Sequence, residues 1–221
     1  MIEGPIHAIA WDIDGTLIDS EPLHEEVLFE VCGEFGDDLS DLAVDAFKGV
    51  HIFDIWSRIA FRFPGVEPGV WADRIIDRYV DRVAATPPLE GVVAVMGIFA
   101  DVGIRQVCVS NSGRRIVDAN LAAIGVRDLI EFSISLDDVA RGKPDPFPYA
   151  EAARRLGLPA AQMAAVEDSA TGARSALGAG MHLIGIAPGG GEVPGALVTL
   201  TSLERLPALI LPGPAAGQGT P

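Results

Sequence analysis

Five short apolar runs recur along the chain, each closed by a turn and followed by a helical pattern: Ile6–Trp11, Val107–Ser110, Phe132–Leu136, Met163–Val166 and Leu183–Ile186. Runs this short and this apolar fit strands buried on both faces of a parallel sheet, whose connections must cross back through helices. Gly125, Gly157 and Gly180 each stand just after an apolar-periodic stretch, where a left-handed residue ends a helix. The fold class that follows is α/β, a doubly wound, Rossmann-like parallel sheet.

One segment breaks the alternation. From Ile18 to Ala85 there is no strand run, only helical spacing such as Leu23, Val27, Leu28 and Val31, then Ile55 and Ile59. Pro87, Pro88 and Gly91 mark its exit. The expected organisation is an α/β core from residues 1–17 and 87–211, a helical cap from 18–86, and a disordered tail of Pro, Gly, Ala and polar residues at 212–221. An insert after the first strand would lie over that strand's carboxyl end, the edge where open α/β sheets bind ligands.

With 221 residues, 49% of them hydrophobic, the chain can bury a sizeable core. Its 31 acidic against 16 basic residues give a net charge of −15, which repels phosphate backbones and anionic lipid; nucleic acid and membrane are not expected partners. Such an acidic surface favours a soluble monomer or weak homodimer. No apolar run approaches the ~18 residues of a membrane span, and the N-terminus lacks a basic signal region. Cys32 and Cys108 lie far apart and read as buried thiols in a reducing, cytoplasmic setting. Gly189–Gly191 reads as a flexible loop, since no Lys-Ser/Thr opens a helix after it.

The chemistry-bearing residues stand at the predicted strand ends. Asp12-Ile13-Asp14-Gly15-Thr16-Leu17 puts two carboxylates two residues apart, and strand alternation would point both the same way; the same residues also suit a plain turn. Ser110-Asn111-Ser112-Gly113 offers a hydroxyl and free helix-start amides to an anion, or a simple N-cap. Glu167-Asp168-Ser169 brings further carboxylates, hard oxygen ligands that suit Mg2+, although Asp168 equally suits a cap for the next helix. Of 16 basic residues only Lys48 and Lys143 are lysines. In so Arg-rich a chain, each reads as a position that needs a compact point charge, as a phosphoryl oxygen does.

Together these motifs resemble the haloacid dehalogenase superfamily in its phosphatase branch, with a helical cap inserted after the first strand. The ordered set Asp12–Leu17, Ser110-Asn111, Lys143-Pro144-Asp145-Pro146 and Val166–Ser169 carries the resemblance, which spans residues 6 to 211. It implies a Mg2+-dependent phosphatase acting on a small phosphomonoester, a sugar or sugar-acid phosphate, through an aspartyl phosphate. Asp12 would be the nucleophile. Asp14 would be the acid and then the base, its pKa raised by acidic neighbours. Asp12, Asp14 through its backbone carbonyl, and Asp168 would hold the metal, with Glu167 acting directly or through water. Ser110, Asn111 and Lys143 would bind phosphate, with Lys48 and His24 reaching the substrate from the cap.

The alternative within the family is a sugar phosphomutase of the β-phosphoglucomutase type, which Phe47-Lys48-Gly49-Val50 and His24 resemble; the run His51-Ile52-Phe53-Asp54 lacks the arginine those mutases carry there. Dehalogenases and phosphonate hydrolases lack an acid at the position of Asp14. A non-catalytic phosphosugar-binding module is the other class considered. His24 reads either as a substrate contact or as a surface or capping residue, and Arg58 and Arg62 as a carboxylate clamp or a solvated face.

Overall fold

The computed structural model describes residues 4–43, 46–47 and 50–211. Lys48 and the 212–221 tail lie outside the described residues. Six strands form one sheet: β1 (Ala8–Trp11), β2 (Arg105–Val109), β3 (Phe132–Ile134), β4 (Met163–Glu167), β5 (His182–Ile186) and β6 (Thr199–Leu200), in the order β3-β2-β1-β4-β5-β6. Every neighbouring pair is parallel, with Ala10 aligned to Val107 on one side and to Ala165 on the other. The predicted strands are all present. The first is shorter than the apolar run, the third stops before Leu136, where a single 3-10 turn (Leu136–Asp138) begins, and β6 is too short to leave a pattern in the sequence.

Period-2 alternation divides the core. Ile9, Trp11, Cys108, Val166 and Ile184 face one layer, which α4 (Val92–Asp101) and α5 (Arg114–Ile124) cover with Met96, Phe99, Val117 and Leu121. Ala8, Ala10, Val107, Val109 and Ala165 face the other, covered by α6 (Phe147–Leu156) and α7 (Ala170–Gly178) through Tyr149, Ala152, Ala173 and Ala176. Gly125 and Gly157 are the left-handed C-caps of α5 and α6, and Gly180, just beyond α7, is also left-handed.

Between β1 and α4 run α1 (Glu21–Glu34), α2 (Ile52–Ile59) and α3 (Pro68–Arg82). They bury Val27, Leu28, Val31, Ile55, Ile59, Trp71 and Tyr79. The chain leaves and returns at one place: Leu89 N donates to Leu17 O at 2.9 Å and Ile18 bridges Pro88. No helix among the described residues is long and apolar enough to cross a membrane. A short final helix, α8 (Leu206–Ile210), packs Leu206 and Ile210 into the core.

Candidate active site

The sheet order reverses at β1: the chain steps outward to β2 and β3, then returns to β4 on the opposite side. A crevice at the carboxyl ends of the strands is expected at such a switch point. Asp12 follows β1, Ser110 follows β2 and Glu167 ends β4, so three of the motifs meet there through strand geometry alone.

Lys143 joins them from the loop before α6. Its Nζ donates to Asp12 Oδ1 at 2.6 Å, Glu167 Oε1 at 2.6 Å and the Val109 carbonyl at 2.8 Å, and lies 5.0 Å from the Tyr149 ring centroid. Burial opposes the ammonium charge, but Asp12 and Glu167 outweigh it and hold Lys143 well above its ordinary pKa. Asp12 is pushed well up by its own burial and then by Glu167, against the pull of Lys143. Asp168 is raised to about 7, again by burial first and Glu167 second. Glu167 is fully buried and also accepts from Tyr149 Oη at 2.7 Å and Ser169 Oγ at 3.2 Å.

Carboxylate oxygens of Asp12, Glu167 and Asp168 lie within 4.8 Å of one another. Among the described residues, Lys143 is the ammonium in this cluster, bonded to Asp12 and Glu167. The all-oxygen donor set fits a hard divalent cation such as Mg2+. Gly15 and Gly172 make this cluster possible. A Cβ at Gly172 would fall 1.8 Å from Glu167 Oε1, and one at Gly15, where φ is +82°, would fall 2.2 Å from Asp168 Oδ2. Asp168 does not cap the following helix; Ser169 does, its Oγ accepting from Gly172 N at 3.0 Å.

Asp14 occupies a different environment from Asp12. Its Oδ1 accepts from Ser20 Oγ at 2.7 Å and Asn120 Nδ2 at 2.9 Å, and its Oδ2 from Ser112 Oγ at 2.9 Å and Ser110 Oγ at 3.2 Å. His24 Nε2 stands 3.6 Å from Oδ1. The expectation that acidic neighbours raise this carboxyl is reversed. Burial does push it upward, but the nearby His24 imidazole and the Ser20 and Ser112 hydroxyls outweigh burial and hold Asp14 well below the usual carboxylate range.

The other sequence assignments divide. Ser110 is buried between Asp14 and the Ser112 amide, which donates to its Oγ at 2.9 Å. The helix-start amides expected to be free are partly occupied: besides that of Ser112, the Arg114 amide donates to Asp137 Oδ2 at 2.7 Å. Asn111's side chain is committed to the backbone of Lys143, donating to its carbonyl at 2.9 Å and accepting from its amide at 2.8 Å. His24 is neither an exposed nor a capping residue; it stacks on Tyr79 with centroids 4.1 Å apart and planes 12° apart. Arg62 is tied to Asp37 and Asp41, at 2.6 Å each, so neither a substrate clamp nor a solvated face describes it. Arg58 is exposed.

Ser20, Asn120, Tyr79 and Tyr149 belong to the site's surroundings, although no motif singles them out. Ser20 does carry a signal: a serine directly before the Glu21-Pro22 helix start looks like an N-cap, yet its hydroxyl makes no cap bond and goes to Asp14 instead.

The haloacid dehalogenase-like hydrolase family model matches residues 6–180. The plasmid-borne phosphoglycolate phosphatase of Cupriavidus necator is 30% identical over 220 residues, covering 94% of each chain. Hexitol phosphatase B of Escherichia coli O157:H7 is 30% identical, covering 94% of this chain and 97% of its own. Among solved structures, a mutant of CbbY from Rhodobacter sphaeroides, in complex with xylulose-1,5-bisphosphate, superposes with a TM-score of 0.77 at 27% identity, covering 91% of this chain and 96% of its own. With the ordered motifs gathered at one sheet edge, the chain belongs to the haloacid dehalogenase-like hydrolase family.

Proposed function

We propose that this phosphoric monoester hydrolase cleaves a small sugar or sugar-acid phosphate through an aspartyl phosphate on Asp12, with Mg2+ as its metal and residues 18–86 as a cap over the site. The observation that carries the reading is a pair of carboxylates two residues apart in unlike environments. Asp12 sits with Lys143, Glu167 and Asp168, whereas Asp14 sits among hydroxyls, Asn120 and His24. Separated environments are what a nucleophile and a proton-transfer group require. The phosphoglycolate and hexitol phosphatases among the relatives support the substrate class.

In the first half-reaction an Asp12 oxygen attacks phosphorus, the ester P–O bond breaks, and the leaving oxygen takes a proton from Asp14. In the second, a water gives a proton to Asp14 and attacks phosphorus, releasing phosphate and the Asp12 carboxylate. The protons balance, because the second step returns Asp14 to its acid form. The donors now converging on Asp14 match the ionised form used in that second step. Lys143 keeps its charge throughout and, with the Ser110 hydroxyl, binds the transferred oxygens. Asp12, Asp168, the Asp14 carbonyl and, directly or through water, Glu167 would hold Mg2+, which when bound offsets the charge of the carboxylates and the phosphate. Asn111 keeps the Lys143 backbone in place rather than contacting phosphate through its amide side chain.

The run 51–54 brings no cation for the second phosphate that the phosphomutase alternative would need: the His51 ring accepts from Phe53 N and caps α2, and Ile52, Phe53 and Asp54 carry no positive charge. The test is phosphate release from a panel of sugar and small organic phosphates with Mg2+, with EDTA and Asp12→Asn as controls, and with β-glucose 1-phosphate plus its bisphosphate included. Release abolished by both controls supports the reading. Isomerised sugar phosphate without release would overturn it for the mutase, and neither signal would favour a binding module.

A further inference from the structure

Two fully buried polar side chains, Tyr79 on α3 and Asn120 on α5, have no part in the chemistry above. Tyr79 Oη donates to Asn120 Oδ1 at 2.8 Å, and Asn120 Nδ2 donates to Asp14 Oδ1 at 2.9 Å. The amide has one acceptor end and one donor end, so a donor on Oδ1 turns Nδ2 toward Asp14 and disfavours the flipped amide. The same Tyr79 ring stacks on His24, whose Nε2 lies 3.6 Å from Asp14 Oδ1. The inserted helical segment therefore reaches Asp14 Oδ1 by two routes that share Tyr79: one crosses to the sheet-covering helix α5, and the other stays within the insert through α1.

We propose that Tyr79 and Asn120 are positioning residues that fix the orientation of the Asp14 carboxylate, so that its proton-transferring oxygen is aligned when the inserted helices are docked on α5. The proposal rests on the acid/base role of Asp14 given above. Tyr79 holds the amide, the amide holds Oδ1, and the Ser112 hydroxyl holds Oδ2 from the other side. A plainly structural role, tying α3 to α5, would lower stability without selecting among substrates. A positioning role makes a different demand on the first half-reaction, which kcat/KM reports: a misaligned acid slows it only where the leaving oxygen needs a proton, whereas the base role of Asp14 in the second half-reaction is shared by every substrate. An alkyl phosphate has such a leaving group, whereas p-nitrophenolate departs unaided near neutral pH.

The experiment compares kcat/KM for an alkyl phosphate substrate and for p-nitrophenyl phosphate, with saturating Mg2+, in wild type, Tyr79→Phe, Asn120→Ala and Asp14→Asn. Tyr79→Phe keeps the ring stacked on His24 and removes only the hydroxyl. Removing a general acid costs on the order of 10²–10⁴-fold, which sets the scale expected for Asp14→Asn with the alkyl phosphate. Losing one hydrogen bond that orients the acid should give a fraction of that: about a tenfold drop in kcat/KM for the alkyl phosphate, with kcat/KM for p-nitrophenyl phosphate within about twofold. Parallel loss of kcat/KM on both substrates, or no loss on either, would overturn the proposal. If Tyr79→Phe fails to fold, Asn120→Ser reads out the same split. Wild type that hydrolyses neither ester would sink the phosphatase reading itself. An active enzyme whose Asp14→Asn variant shows no leaving-group split would remove the acid that these residues position, and the proposal with it.

Discussion

Asn111 and Lys143 exchange two hydrogen bonds across 32 residues of sequence, the asparagine side chain bonding both the carbonyl and the amide of the lysine backbone at 2.9 and 2.8 Å. This clamp fixes the loop from which the Lys143 ammonium enters the carboxylate cluster. Gly142 permits it, since a Cβ there would lie 2.7 Å from Asn111 Oδ1. Asn111→Ala should leave a part-buried amide and carbonyl without partners, lowering stability by about 1–3 kcal/mol. Because the clamped residue is Lys143, kcat should fall more than the stability change alone explains. Urea melts and steady-state kinetics on one preparation check both; unchanged kcat would separate the clamp from the site.

Gly172 packs its Cα against the Glu167 carboxylate, with 1.8 Å left for a Cβ. Gly172→Ala must displace Glu167, and with it the anchor of Lys143 Nζ and Tyr149 Oη. Overpacking of this kind costs about 1–3 kcal/mol, and activity should fall at least tenfold because the displaced carboxylate partners Lys143. Gly172→Ala with wild-type Tm and turnover would contradict this close packing.

Both thiols should be inert in the native protein. Cys32 and Cys108 are buried; burial pushes Cys32 up to about 11 and Cys108 higher still, so little thiolate exists near neutral pH. Titration with a thiol-reactive chromogenic disulfide should show no fast-reacting group until the protein is unfolded, and two thereafter.

Metal binding and pH should be linked with a definite sign. Asp12 and Asp168 both titrate above their ordinary value of 3.8, Asp168 at about 7. The metal-free folded protein therefore holds protons that the unfolded chain has released, so this contribution to stability is greatest below about pH 4 and is lost as pH rises toward 7. A divalent cation favours the ionised forms and expels those protons. The rise in Tm on adding Mg2+ should thus grow between about pH 5 and pH 8, and most of that growth should vanish in Asp168→Asn. A shift independent of pH would contradict the linkage.

Much of this is legible in the residues themselves. Fully buried strands announce themselves as apolar runs, and the scarcity of lysine singles out Lys143, which is the ammonium found among the carboxylates. What escapes is set by tertiary geometry. Strand alternation treats Asp12 and Asp14 as equivalent, but β1 ends at Trp11 and the two carboxylates fall among different partners. The direction of the Asp14 shift is hidden because its neighbours along the chain are acidic, whereas the groups that reach it in space are hydroxyls, an amide and an imidazole. Asn120 lies 106 residues from Asp14 on an amphipathic helix, with no local pattern to distinguish it from a surface asparagine.

The most direct test of the covalent mechanism is the mass of the enzyme, acid-quenched during turnover of a phosphomonoester with Mg2+ and digested. The expected result is a gain of one phosphoryl group on the peptide containing Asp12, absent in Asp12→Asn and absent when EDTA replaces the metal. Rapid turnover with no phosphorylated peptide at any quench time, or retention of turnover by Asp12→Asn, would contradict an aspartyl phosphate on Asp12.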